Sequence, residues 1–274
     1  MNYRHAFHAG NFADCMKHAL LLWLMRALAR KPAPCFVLET HAGAGRYDLA
    51  SEAAERTGEW RAGIGMLLEE PPAALSDYVQ VVGGLGLYPG SPAIVGALLR
   101  PDDRLACCEL HPEDHAALRR LFGRNPQVAV HSRDGWSALK ALLPPVQRRG
   151  LVLIDPPYEQ PGEFDRVVAG LQAAQSRFAT ATTAAWYPIK HLAPVRTFHE
   201  AVRFAGLRDV VTAELWLREP TDPARLNGCG LLVRNAPFRF EAEAAAILEG
   251  LLARLGAREP GEGFAVRRLT PEHG

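Results

Sequence analysis

The sequence predicts an α/β protein built on one doubly wound, largely parallel sheet, and three observations carry that expectation. Short apolar runs alternate with amphipathic helical stretches, and each run stops at a turn, polar or acidic residue. The chain, at 274 residues, is long enough for one large domain with an ample core but leaves little room for a second enzyme domain.

A helical pattern over residues 12–30 comes first. Residues 35–39, 105–109, 128–131 and 151–154 then read as buried parallel strands, being brief and rich in Val, Leu, Ile or Cys. Helical patterns over 113–122, 136–143 and 163–175 lie between or after them. Residues 179–187 give a further strand and 192–205 a helix. Two β-rich runs, 209–217 and 229–234, are separated by Pro220, Pro223 and Asn227-Gly228, which suggests an antiparallel pair joined by a loop.

Residues 49–103 interrupt this rhythm with helical Ala, Glu and Leu patterns, Pro71-Pro72 and the tight Tyr88-Pro89-Gly90-Ser91-Pro92 segment. They read as a helical insertion subdomain within a single domain spanning 1–274. Residues 241–255 predict one amphipathic helix, followed by a Gly/Pro/Arg-rich end, and no internal repeat is evident.

Lys and Arg total 31 against 30 for Asp and Glu, so no global field draws the protein to a polyanion and any nucleic-acid partner needs a local basic patch. Five cysteines, an odd number, read as reduced thiols; Cys107 and Cys108 alternate across a strand and lack zinc-site spacing, so no metal is assigned. The N-terminus is too polar for a signal peptide, and the apolar stretch 19–28 is broken by Arg26 and too short for a bilayer. No membrane association is expected, and the cytoplasm is the default location.

Four motifs follow successive strands. Glu39-Thr40-His41-Ala42-Gly43-Ala44-Gly45 places glycines at a strand-to-helix turn, where backbone can approach a ligand; Asp48 stands where a dinucleotide fingerprint has its third glycine, so a plain tight turn fits equally well. Glu109 closes the second strand, where an acid can accept bonds from both ribose hydroxyls or simply face solvent. Asp134-Gly135 follows the third, as an acceptor for an adenine amino group or as a helix cap.

The fourth motif, Asp155-Pro156-Pro157-Tyr158 after Leu151-Val152-Leu153-Ile154, is the specific one. Two prolines forbid further ladder bonds, so the chain leaves the sheet at the edge where such folds bind ligands. The rigid turn fixes the Asp155 carboxylate, the Pro156 carbonyl and the Tyr158 ring around one small space, which suits an exocyclic amine: two acceptors bind its hydrogens while the ring stacks on an extruded base. The N-terminal run Tyr3-Arg4-His5, with aromatic and basic groups, suits bases and phosphates, and His18 lies one helix turn beyond Asp14.

With Tyr3-Arg-His-x-Phe-His-Ala-Gly-Asn11, Asp14, Lys17-His18, Thr40-His-Ala-Gly-Ala-Gly-Arg-Tyr47, Thr57-Gly58-Glu59, Gly63-Ile64, Tyr88-Pro-Gly-Ser-Pro92, Glu109-Leu-His111, Asp134-Gly135 and Asp155-Pro-Pro-Tyr-Glu159, nearly the whole chain resembles the bacterial 23S ribosomal RNA large subunit methyltransferase J family. The resemblance implies a Rossmann-like class I methyltransferase sheet, in which an antiparallel pair closes a parallel sheet, with a small helical insertion. It implies S-adenosyl-L-methionine as cofactor, an adenine N6 in 23S ribosomal RNA as methyl acceptor, and His18, His41, Ser91, Glu109, Asp134, Gly135 and Asp155 around the cofactor. Asp155 would be the catalytic acceptor, with Pro156 and Tyr158 beside it and Gly43 in the turn, and a monomer is expected. Glu39 departs from the Asp usual in the family and Cys229 from a small hydroxyl residue.

Three other readings stay open. A DNA adenine-N6 methyltransferase uses the same motif but would need a target-recognition domain that the sequence does not show. A glutamine or small-amine methyltransferase shares the chemistry without explaining Tyr3 to His8, and a non-catalytic RNA-binding protein leaves the intact Asp155 motif unexplained.

Overall fold

The computed structural model describes residues 5–272, so Tyr3 and Arg4 of the N-terminal cluster lie outside the described residues. The chain begins with α1 (Phe12–Ala29), whose start is capped by the Asn11 side chain accepting from the Ala13 and Asp14 amides. Then come β1 (Phe36–Glu39), β2 (Arg46–Tyr47), α2 (Glu52–Thr57), α3 (Ile64–Glu69), α4 (Ser76–Gly84), β3 (Tyr88–Pro89) and α5 (Ser91–Leu98). The regular alternation follows, with β4 (Arg104–Cys108), α6 (Pro112–Phe122), β5 (Val128–His131), α7 (Gly135–Ala141), β6 (Gly150–Ile154), α8 (Glu163–Arg177), β7 (Thr182–Ile189) and α9 (Leu192–Phe204). β8 (Val210–Trp216), β9 (Gly228–Arg234), α10 (Phe240–Leu255) and β10 (Gly263–Thr270) complete it.

One eight-stranded sheet runs β10-β8-β9-β7-β6-β1-β4-β5. The five strands from β7 to β5 pair in parallel, while β9 inserts antiparallel between β7 and β8. Helices cover both faces and split the core in two: Cys107 belongs to the layer under α1 and α10, its neighbour Cys108 to the layer under α8 and α9. This follows from strand geometry, which sends adjacent side chains to opposite faces.

Residues 49–103 hold the helices α2 to α5. α5 lies within that range yet packs on α1 and β4, and so supplies the helix that a parallel β1-to-β4 crossover requires. Two small sites tie the rest to the N-terminal segment. The Ile64 amide donates to the Gly10 carbonyl at 2.8 Å, and a Cβ at Gly63 would stand 2.2 Å from that carbonyl oxygen. His8 Nδ1 and Asn11 Nδ2 both lie 2.9 Å from the Glu59 carboxylate.

The Gly/Pro/Arg-rich end departs from expectation by forming β10, which pairs antiparallel with β8 from Gly263 opposite Trp216 to Thr270 opposite Val210. The sequence hides this strand because adjacent Arg267 and Arg268 break the apolar alternation. Both arginines are used: Arg267 pairs with buried Glu214, and Arg268 with Asp209 and Glu241.

Candidate active site

Because β1, β4, β5 and β6 are parallel, the turns that follow them share one edge of the sheet. The turn after β1 is stitched to its neighbours: the Thr40 amide donates to the Leu153 carbonyl at 3.0 Å and the Ala42 amide to the Cys108 carbonyl at 2.9 Å. Gly43 and Gly45 take φ of +65° and +80°, a region that side chains with a Cβ rarely adopt.

Glu109 reaches across from the end of β4. Its Oε2 accepts from the Gly43 amide and its Oε1 from the His111 amide, each at 2.7 Å. Burial raises its pKa while those two amides oppose the rise. Each oxygen keeps a second lone pair, so the carboxylate that shapes the glycine turn retains acceptor capacity.

Asp134 caps α7, accepting the Ser137 amide at 2.8 Å. A Cβ at Gly135 would stand 2.2 Å from the Thr40 carbonyl oxygen, so the start of α7 abuts the β1 turn and admits only glycine. His41 fits between them, with Nδ1 2.8 Å from Thr40 Oγ1 and its ring edge-on to Trp136. Burial lowers its pKa to about 4, against the opposing pull of Asp155 and Asp134, and keeps the imidazole neutral near pH 7.

β6 delivers Asp155. Its Oδ2 lies 2.7 Å from Lys17 Nζ, contributed by α1, and the same ammonium lies 3.1 Å from Asp14 Oδ1. Asp14 Oδ2 accepts in turn from the Gly10 amide at 3.0 Å and lies 2.8 Å from His5 Nε2. These charges are sequestered, with Lys17 and Asp14 side chains 7% and 3% exposed, so each depends on its partner. Burial pushes Asp14 upward, but His5, Lys17 and His18 together hold its carboxyl well below the usual range.

Glu39 completes the cluster. Ser91 Oγ donates to its Oε2 at 2.6 Å, whereas Oε1 is buried without a hydrogen-bond partner among the described residues. Burial raises this carboxyl to about 8.

Two expected residues are held by partners of their own. His18 is buried against Tyr88, Nδ1 to hydroxyl 3.0 Å, and burial drives its pKa to about 3. Tyr158, at φ +53°, donates its hydroxyl to the Trp186 carbonyl at 2.8 Å, and its ring packs on Trp186 and Phe164. The structure thus gathers Asp155, Glu39, Ser91, His41, Asp134, Gly135, Glu109 and Gly43 along one edge. Lys17 and Asp14 join them although the sequence placed neither in the site. Their signal is a Lys three residues after an Asp within a helix otherwise apolar on nearly every side.

The sequence profile described as ribosomal RNA large subunit methyltransferase D, RlmJ, matches residues 32–266. Ribosomal RNA large subunit methyltransferase J of Escherichia coli is 41% identical over 93% of this chain and 94% of its own length. The protein of the same name from Haemophilus influenzae is 38% identical over 99% of this chain and 100% of its own. A solved Legionella pneumophila protein superposes with a TM-score of 0.87 at 35% identity, covering 95% of this chain and 98% of that one. The fold is a class I methyltransferase fold, and on these matches the chain belongs to the ribosomal RNA large subunit methyltransferase J family.

Proposed function

We propose that this protein transfers a methyl group from S-adenosylmethionine to the N6 nitrogen of an adenine in 23S ribosomal RNA. The observation that carries the reading is the placement of Asp155 at the sheet edge, clamped by Lys17 at 2.7 Å and backed by two prolines, beside a glycine turn. The edge fits the cofactor. Glu39 offers a buried, unpartnered Oε1 to an ammonium group, Glu109 has spare lone pairs for ribose hydroxyls, and Gly135 lets the start of α7 close against the Thr40 turn beside His41.

When bound, S-adenosylmethionine supplies an electrophilic methyl on a sulfonium. The residues of the chain prepare the nucleophile. An adenine amine is weak because its lone pair is shared with the ring, and it strengthens when its hydrogens are held by acceptors. Lys17 occupies Asp155 Oδ2, which leaves Oδ1 to accept one amino hydrogen while the Pro156 carbonyl accepts the other. The anion then stabilises positive charge developing on nitrogen more in the transition state than before it. No general base is required, since the methylated nitrogen sheds its proton readily. Tyr158, fixed through its hydroxyl, is the ring on which the extruded base would stack. His5, tied to Asp14, closes the side from which the RNA enters, and residues 49–103 form a subdomain that holds this N-terminal segment.

Nucleoside analysis of 23S ribosomal RNA from a strain lacking the gene tests the reading directly. One N6-methyladenosine should disappear and return on complementation. An unchanged nucleoside profile, or labelled-methyl transfer to duplex DNA in preference to ribosomal RNA, overturns it.

A further inference from the structure

The chain as a whole nets +1, yet the stretch from α6 through α7 holds five basic side chains, Arg119, Arg120, Arg124, Arg133 and Lys140, against three acids, Glu113, Asp114 and Asp134, all at the N-terminal ends of the two helices. The remainder is therefore net acidic by one charge. Together α6, β5 and α7 wrap the outer edge of the sheet. α6 packs into the core layer on one face through Leu118, and α7 into the opposite layer through Ala138 and Leu139, so cations flank the β5 edge on both sides.

All five side chains belong to exposed residues, and none has an ion-pair partner among the described residues. The opposite edge of the same sheet is built differently, with Arg267 and Arg268 of β10 both neutralised by carboxylates. Unpaired arginines at an exposed sheet edge leave their forked donors free, a geometry matched to phosphate oxygens. The strip is also continuous with the candidate active site, because Arg133 immediately precedes Asp134 and the cap of α7.

Resting on the RNA methylation proposed above, we infer that the β5 edge is the track for the phosphodiester backbone of the RNA flanking the target adenine. Arg133 sits where the track meets the site. Arg119, Arg120 and Arg124 on one side and Lys140 on the other continue it away from the reacting base. Such contacts carry little sequence information; they set register and supply affinity.

The test replaces Arg119, Arg120, Arg124 and Lys140 by Gln in the full chain and measures binding of a 23S ribosomal RNA fragment across a salt series. Each lost phosphate contact lowers the slope of log affinity against log salt by roughly 0.7–0.9, so the slope should fall by about 3. Affinity near physiological salt should drop about tenfold or more, whereas S-adenosylmethionine binding should not change. Replacing the three arginines by Lys should restore most of the slope. Unchanged RNA affinity and slope overturn the track, as does tighter binding of polyglutamate than of RNA, which would assign the edge to an acidic protein partner. A variant that loses salt-dependent binding while the unmodified protein methylates no RNA keeps the track and removes the methylation reading. Equal methylation kcat/KM for both proteins does the reverse.

Discussion

Two clusters of buried polar side chains sit on this one sheet, the first at the ends of β1 and β6, the second beneath α9. In the second, the Tyr187 hydroxyl donates to Glu214 at 2.9 Å and lies 3.2 Å from His199 Nε2, while Arg267 binds the other Glu214 oxygen at 3.1 Å. Gly230 makes room for it, since a Cβ there would stand 2.2 Å from the Tyr187 ring. Every oxygen of Glu214 is spoken for. In the first cluster Glu39 has a bare buried oxygen, and Asp155 is engaged through a single oxygen by Lys17. A saturated network holds a fold together; one with spare acceptors is ready for something that arrives.

Replacing Asp155 by Ala should sharpen that contrast most. We expect a hundred- to thousandfold loss of kcat, on the order of 3–4 kcal/mol, in single-turnover transfer of labelled methyl to RNA, with cofactor binding still measurable. Near-normal transfer by the variant would dissolve the distinction between the clusters. Glu214→Ala should do the opposite. It strands Arg267, His199 and the Tyr187 hydroxyl, so urea denaturation should show a loss of about 2–3 kcal/mol while kcat of the folded fraction holds. A kcat collapse without loss of stability would move the second cluster into the active site.

Glu109→Ala tests the middle ground, since that carboxylate both shapes the glycine turn and keeps acceptor capacity. S-adenosylmethionine affinity by calorimetry should weaken by roughly tenfold, the worth of one or two charge-assisted hydrogen bonds. An unaltered Kd would leave Glu109 with a purely structural part. The last test concerns pH. The Glu39 carboxyl is raised by burial from 4.5 to about 8. Its stabilising protonation is thus fully present below the unfolded value and lost as pH rises through the folded one. Stability should decline from pH 5 to 8 by at most about 1.4 kcal/mol per pH unit from this group. Glu39→Gln should flatten that decline, and a decline of equal steepness in both proteins would reassign it.

The parallel strands and their four terminal motifs were readable because local rules write them: buried runs of Val, Leu and Ile, glycines where φ is positive, prolines where a ladder must stop. Asp155 and Gly135 were legible for the same reason. What escaped was long-range. Lys17 meets Asp155 across half of the chain, and no periodicity reports that pairing. β10 escaped because Arg267 and Arg268 look like solvent-facing charges until the carboxylates of Glu214, Asp209 and Glu241 are seen opposite them. Glu109 and Asp134 were placed correctly at their strand ends, but their amide partners in the glycine turn and α7 depend on how the turns meet.

α1 packs against α10 and β9, both formed from residues far later in the chain. During synthesis at roughly 5–20 residues per second, its apolar surface waits on the order of ten to forty seconds before those partners emerge. The wait has a chemical corollary. Lys17 rides on α1, so the ammonium that steadies Asp155 is carried by a helix whose packing is completed by elements that follow Asp155 in the sequence.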